Sequence, residues 1–90
     1  MKITFDPVKR AATLADRGLD FADAALVFEG ATYDRRDNRF DYPESRFITV
    51  GLLRGRIVIV VWTPAADGRR IISMRKANGR EKAHFGKQLA

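Results

Sequence analysis

The chain has 90 residues, 46% hydrophobic and 31% charged, with no Cys and one His, the balance of one small globular domain and too short for a multidomain enzyme. Disulfide frameworks, thiol nucleophiles and Cys- or His-rich metal sites are excluded and no cofactor is called for; no apolar run reaches a membrane span and MKITFDPVKR lacks a signal core, so a soluble cytoplasmic protein is expected. The formal charge of +6 is uneven: residues 1–45 carry 7 basic and 9 acidic side chains, residues 46–90 carry 10 and 2, a field that attracts polyanions such as RNA or DNA, or an acidic protein.

Residues 3–5 make a short candidate edge strand. Asp6 followed by Pro7 is a helix start, the carboxylate accepting from an orphan amide and Pro lacking a donor the first turn would waste. Val8, Ala11, Ala12 and Ala15 mark one face of this helix, and Gly18 ends it. Asp20 opens a second helix with Phe21, Ala24, Ala25 and Phe28 at i, i+3, i+4 and i+7, and Gly30 stops it. Residues 31–45 interleave Asp34, Asp37, Asp41 and Glu44 with Arg35, Arg36 and Arg39 and read as a long, internally salt-bridged loop. Their spacing matches no calcium loop.

Residues 46–53 are rich in strand formers, and residues 57–63 (IVIVVWT) are a continuous apolar run of strand length. Arg54-Gly55 makes a tight hairpin between them, and residues 64–68 connect to a third strand over 69–76. Residues 77–89 read as a helix weakened by Gly79 and Gly86. The predicted order is strand, helix, helix, three-stranded antiparallel meander, helix, an α+β domain with its helices segregated from the sheet.

Strict alternation on the last strand separates Arg69, Ile71, Ser73 and Arg75 from Arg70, Ile72, Met74 and Lys76. Either face presents two cations, suited to phosphate or to charge protection of an edge. Arg80 and His84 share a face at i, i+4 in the last helix, beside Glu81, Lys82 and Lys87. Metal-free RNA cleavage needs a base for the ribose 2′-hydroxyl, an acid for the leaving oxygen and cations for the phosphorane; Glu81, His84, Arg75 and Arg80 supply those types, although any basic helix contains such a set. Trp62 and Phe47 lie in apolar strands and read as core.

The segments Phe5-Asp6-Pro7-Val8-Lys9, Gly18-Leu19-Asp20-Phe21, Asp41-Tyr42-Pro43-Glu44-Ser45-Arg46 and, most specifically, Arg70-Ile71-Ile72-Ser73-Met74-Arg75-Lys76-Ala77 with Glu81 together resemble the BrnT toxins. These are ribonuclease toxins of bacterial type II toxin–antitoxin systems with a RelE-like fold. The resemblance implies a cytoplasmic endoribonuclease that inhibits translation and is neutralised by a BrnA-like ribbon-helix-helix antitoxin. It also implies a heterotetramer of two toxins and two antitoxins that meets operator DNA only through the antitoxin.

Under this resemblance Arg70, Arg75 and Arg80 hold phosphate, Glu81 or His84 handles protons, and Arg69, Lys76, Lys82 and Arg46 extend the RNA-binding surface. The chain departs from the family's usual pattern at Ala65, Arg17, Pro43 and Phe85, where Arg, His, Gly and Tyr are common. Loss of the Arg and Tyr would reduce or alter activity, leaving a module that binds antitoxin or nucleic acid without cleaving as the competing reading. An acidic-peptide docking domain is a third.

Overall fold

The computed structural model describes residues 1–89. Its elements are β1 (Lys2–Phe5), α1 (Pro7–Arg17), a 3-10 turn (Phe21–Asp23), α2 (Ala24–Glu29), β2 (Thr32–Arg36), β3 (Phe47–Leu53), β4 (Arg56–Ala65), β5 (Gly68–Lys76) and α3 (Gly79–Leu89). One five-stranded sheet in the order β1-β5-β4-β3-β2 organises the chain. The meander β3-β4-β5 is antiparallel, while β1 lies parallel to β5 at the edge. No helix among the described residues is long and apolar enough to cross a membrane.

The predicted boundaries hold where local chemistry sets them. Asp6 caps α1 by accepting from the Val8 amide at 2.9 Å, and Gly18 closes it in the left-handed region, its N–H donating to the Leu14 carbonyl. The β3–β4 hairpin turns through Arg54 (φ 50°) and Gly55 (φ 79°), both left-handed as a type I′ turn requires. β4 runs on through Pro64 to Ala65, past its last β3 partner at Trp62, where it borders β5 alone and a proline is tolerated.

Three expectations are corrected. The stretch 31–45 is not all loop, because Thr32–Arg36 pairs antiparallel with β3 and adds a fifth strand. The helices are not confined to one side: α1 and α2 cover one face, and α3 crosses β3 and β4 on the other. The first face carries Phe21, Val27, Val58, Val60, Trp62, Ile71 and Met74, and the second carries Ile48, Val50, Ile59, Val61 and Leu89. A central strand buried on both faces explains why residues 57–63 read as continuous rather than alternating apolar sequence.

The third correction concerns β5. Val61 pairs with Ser73 but Trp62 pairs with Ile71, so Ile72 is the extra residue of a β-bulge. Alternation reverses there. Arg69, Ile71, Met74 and Lys76 fall on the α1/α2 face, while Arg70, Ser73 and Arg75 fall on the α3 face.

Helix α1 is amphipathic in an unexpected sense. Val8, Ala11, Ala12 and Ala15 point to solvent, Val8 being 75% exposed. The opposite side carries the tethers: Arg10 reaches both carboxylate oxygens of Asp20 at 2.8 and 2.9 Å, and Arg17 donates to the Met74 carbonyl at 2.8 Å. With Arg10 and the Ala22 amide bonded to it, the Asp20 carboxyl is held down at about 2.

Candidate functional site

The α3 face of the sheet is only partly covered. Phe85 and Leu89 seat α3 on the apolar floor, and beside them a cleft of about 120 Å³ stays open. Ile48, Val50, Ile59 and Val61 form its base, and Arg35, Arg39, Ser73, Arg75, Glu81 and Phe85 rise around it. Arg35 stands on β2 opposite Ile48, and Arg75 stands on β5 opposite Ile59, so the sheet itself fixes both on the same face. The bulge at Ile72 puts Arg75 there.

Arg75 and Glu81 form a bidentate pair, Nη1 to Oε1 at 2.7 Å and Nη2 to Oε2 at 2.8 Å. Glu81 Oε1 also accepts the Asn78 amide at 2.9 Å, while Asn78 Oδ1 accepts the Glu81 amide at 2.9 Å. This reciprocal capping box starts α3 and locks the end of β5 to it. The guanidinium of Arg75 is the main reason the Glu81 carboxyl falls to about 2, with Asn78 and nearby Arg35 adding to the effect. Arg39 is held by a second carboxylate: Asp37, its side chain fully buried, accepts Arg39 Nε and Nη2 at 2.8 Å each and the Arg39 amide at 3.2 Å. Arg39 in turn sits near enough to Arg75 to oppose its charge.

A guanidinium has five N–H donors, and each of these two carboxylates takes two side-chain ones. Arg39 and Arg75 are therefore oriented by their partners with donors to spare, and the described residues give Arg35 no ion pair. Three arginine side chains around one apolar floor offer guanidinium donors of the kind that suits a multivalent oxyanion. A larger concavity of about 270 Å³ lies on the opposite face beside Gly18, Leu19, Leu53 and Val58. Its Arg54 is already paired with Asp23 at 3.2 Å, and no cluster of three arginines converges there, so the smaller cleft is the chemically richer one.

The structure brings together some of the predicted site residues and scatters the rest. Arg75 and Glu81 meet directly, and Arg70 shares their sheet face further along β5, opposite Thr63. Arg80, Lys82 and His84 are exposed on α3, His84 lying edge-on to Phe85 with ring centroids 4.7 Å apart. Arg69 and Lys76 are on the other face. The Arg69 guanidinium is stacked 4.0 Å from the Trp62 ring and 4.3 Å from Phe28, and Lys76 is exposed opposite Val58. Arg46 is engaged at the loop base, bonded to Glu44 at 2.7 Å and 3.9 Å from the Tyr42 ring.

Sequence reasoning missed Arg35, Arg39 and Ser73 as lining residues. Arg35 and Tyr33 alternate with Thr32, Asp34 and Arg36, a period of two that the high charge conceals. Trp62 and Phe47 do pack in the core, stacked at 4.9 Å, with Trp62 Nε1 donating to Thr49 Oγ1 at 2.8 Å and Thr49 donating onward to Asp34 at 2.5 Å.

Fold and cleft define a small basic α+β domain with three arginine side chains around an open sheet face. A family model described as the ribonuclease toxin BrnT of type II toxin–antitoxin systems matches residues 5–81. The chain belongs to that family, whose members act as ribonuclease toxins paired with an antitoxin. The match includes Arg35, Arg39, Arg75 and Glu81 and ends before His84. No curated protein matches the chain significantly.

Proposed function

We propose that the chain is a metal-independent endoribonuclease that cuts RNA in the cleft between β2, β5 and α3, and so inhibits translation. The convergence of Arg35, Arg39 and Arg75 on one sheet face carries this reading. In-line attack by a ribose 2′-hydroxyl on its own phosphate gathers negative charge on the phosphorane oxygens. Positioned guanidinium donors stabilise that charge more than they stabilise the starting diester.

Arg75 is the central donor and Glu81 its positioning residue. A carboxylate already accepting three hydrogen bonds and depressed to about 2 is a weak base. His84, exposed on α3 edge-on to Phe85, is the remaining candidate for proton transfer, its imidazole offering both a donor and an acceptor nitrogen. Arg70 and Arg80 extend phosphate contact along the strand and the first turn of α3, with Lys82 beyond. Arg69 and Lys76 contribute long-range field only, because they lie across the sheet, and Arg46 acts at the loop base through the Tyr42 ring it underlies.

Family membership supports the rest: a cytoplasmic toxin neutralised by a BrnA-like ribbon-helix-helix antitoxin, in a heterotetramer that reaches operator DNA through the antitoxin. Inducing the chain alone in bacteria tests the whole reading. Growth arrest with fragmented RNA, reversed by co-expressing a BrnA-like antitoxin, is the expected result. Intact RNA together with tight antitoxin binding would overturn it in favour of a binding module that has lost its chemistry.

A further inference from the structure

The loop between β2 and β3 carries an aromatic pair that core packing does not explain. Phe40 is 71% exposed, the most exposed aromatic ring among the described residues, and it meets Tyr42 edge-to-face with ring centroids 5.8 Å apart. The loop is nonetheless tied down at several points. Buried Asp37 holds Arg39 and donates its own amide to the Arg46 carbonyl at 2.8 Å. Arg36 reaches Ser45 Oγ at 3.0 Å, and Thr63 on β4 donates to the Ser45 carbonyl at 2.6 Å. Arg46 underlies the Tyr42 ring at 3.9 Å and is itself held by Glu44. These ties bracket Phe40 on both sides along the chain and leave its ring out in water.

Arg39 joins this pair to the phosphate cleft. Its guanidinium lines the cleft with Arg35 and Arg75, and the Tyr42 phenol beside it reinforces the rise in its pKa that Asp37 mainly causes. The succession Arg75, Arg39, Tyr42, Phe40 therefore runs from guanidinium donors through the half-buried Tyr42 ring to the exposed ring of Phe40. A cationic groove leading to aromatic rings is how proteins hold a nucleic-acid strand whose bases are unstacked. Paired bases in a helix have no free face to offer, and A-form RNA presents mainly phosphates and 2′-hydroxyls.

We propose that Phe40 and Tyr42 form a stacking platform for an unpaired nucleobase next to the phosphate held by Arg35, Arg39 and Arg75, making single-stranded RNA the substrate class. This rests on the cleft assigned under the proposed function and extends it from phosphate to base. Neither residue is needed for the bond-making step; they select and place the strand.

The test is binding of a fluorescein-labelled 2′-O-methyl RNA dodecamer, which cannot cleave itself, as a single strand and as a duplex. Wild type, Phe40→Ala, Phe40→Trp and Arg75→Ala are compared, with thermal melts to show that each is folded. Expected is tighter binding of the single strand, a loss of about tenfold in Phe40→Ala, recovery in Phe40→Trp, and quenching of the new tryptophan when RNA binds. Normal affinity in Phe40→Ala with weakened binding in Arg75→Ala would overturn the platform and leave the cleft standing, as would equal affinity for duplex. Unaltered binding in Arg75→Ala would overturn the cleft itself and the platform with it.

Discussion

Replacing Glu81 by Gln keeps the shape of the side chain and removes the charge that binds Arg75, so it isolates the electrostatic half of the β5–α3 junction. In the native protein the carboxylate meets Arg75 at 2.7 and 2.8 Å, and its pKa drops from 4.5 to about 2. At about 1.36 kcal/mol per pKa unit this corresponds to roughly 3 kcal/mol before screening. Arg75 is 45% exposed, and solvent screening of such a pair reduces the effect to about 1 kcal/mol. The folded pKa is the lower one, so the stabilisation is complete above the unfolded value and disappears as pH falls from about 4.5 toward 2. Urea unfolding of wild type and Glu81→Gln at pH 7 should show the variant weaker by about 1 kcal/mol, and the gap should narrow between pH 5 and pH 3. Asp20 and Asp37, both held at about 2, destabilise the two proteins alike over this range and cancel in the difference. A gap that stays constant with pH, or no gap at neutrality, would refute the charge-based account.

Gly68→Ala should break the sheet edge, because a Cβ there would lie 1.8 Å from the Lys2 carbonyl oxygen. The expected cost is about 1–3 kcal/mol, with faster hydrogen exchange in β1 that a native-like exchange pattern would contradict. Thr49→Val removes the buried acceptor of the Trp62 indole N–H and should cost about 1–3 kcal/mol in denaturant melts, an unchanged midpoint being the contrary result. Arg69→Ala removes the guanidinium between Trp62 and Phe28, costing about 1 kcal/mol of stability. Because Arg69 lies across the sheet from the cleft, RNA cleavage should be nearly unchanged, and a loss as large as that of Arg75→Ala would contradict the face assignment.

Features set by a few neighbouring residues were legible from sequence. The Asp6-Pro7 start, the Gly18 stop, the Arg54-Gly55 turn and the apolar run of β4 each follow from local backbone chemistry. Strand β2 was not, because Thr32–Arg36 carries three charges and takes its place through pairing with β3, a contact between residues distant in sequence. The bulge at Ile72 was equally hidden: the residue types of β5 fit either alternation, and only pairing against Trp62 and Val61 decides which arginine faces the cleft. In α1 the periodicity marks one face but not where it points: that face is the solvent side, because Arg10 and Arg17 tie the opposite side to the protein through Asp20 and the Met74 carbonyl. The site was half legible. Arg75 and Glu81 were found as residue types in a basic segment, whereas Arg35 and Arg39 were masked by the carboxylates interleaved with them.

The most direct test of the account is the rate at which purified wild type and Arg75→Ala cleave a labelled RNA in the presence of EDTA, with both proteins shown to be folded. Cleavage by wild type and a fall of about 100-fold or more in the variant, the loss typical of one transition-state donor, is the result predicted. Equal rates for the two proteins would contradict the claim that the guanidinium cluster on the α3 face holds the scissile phosphate.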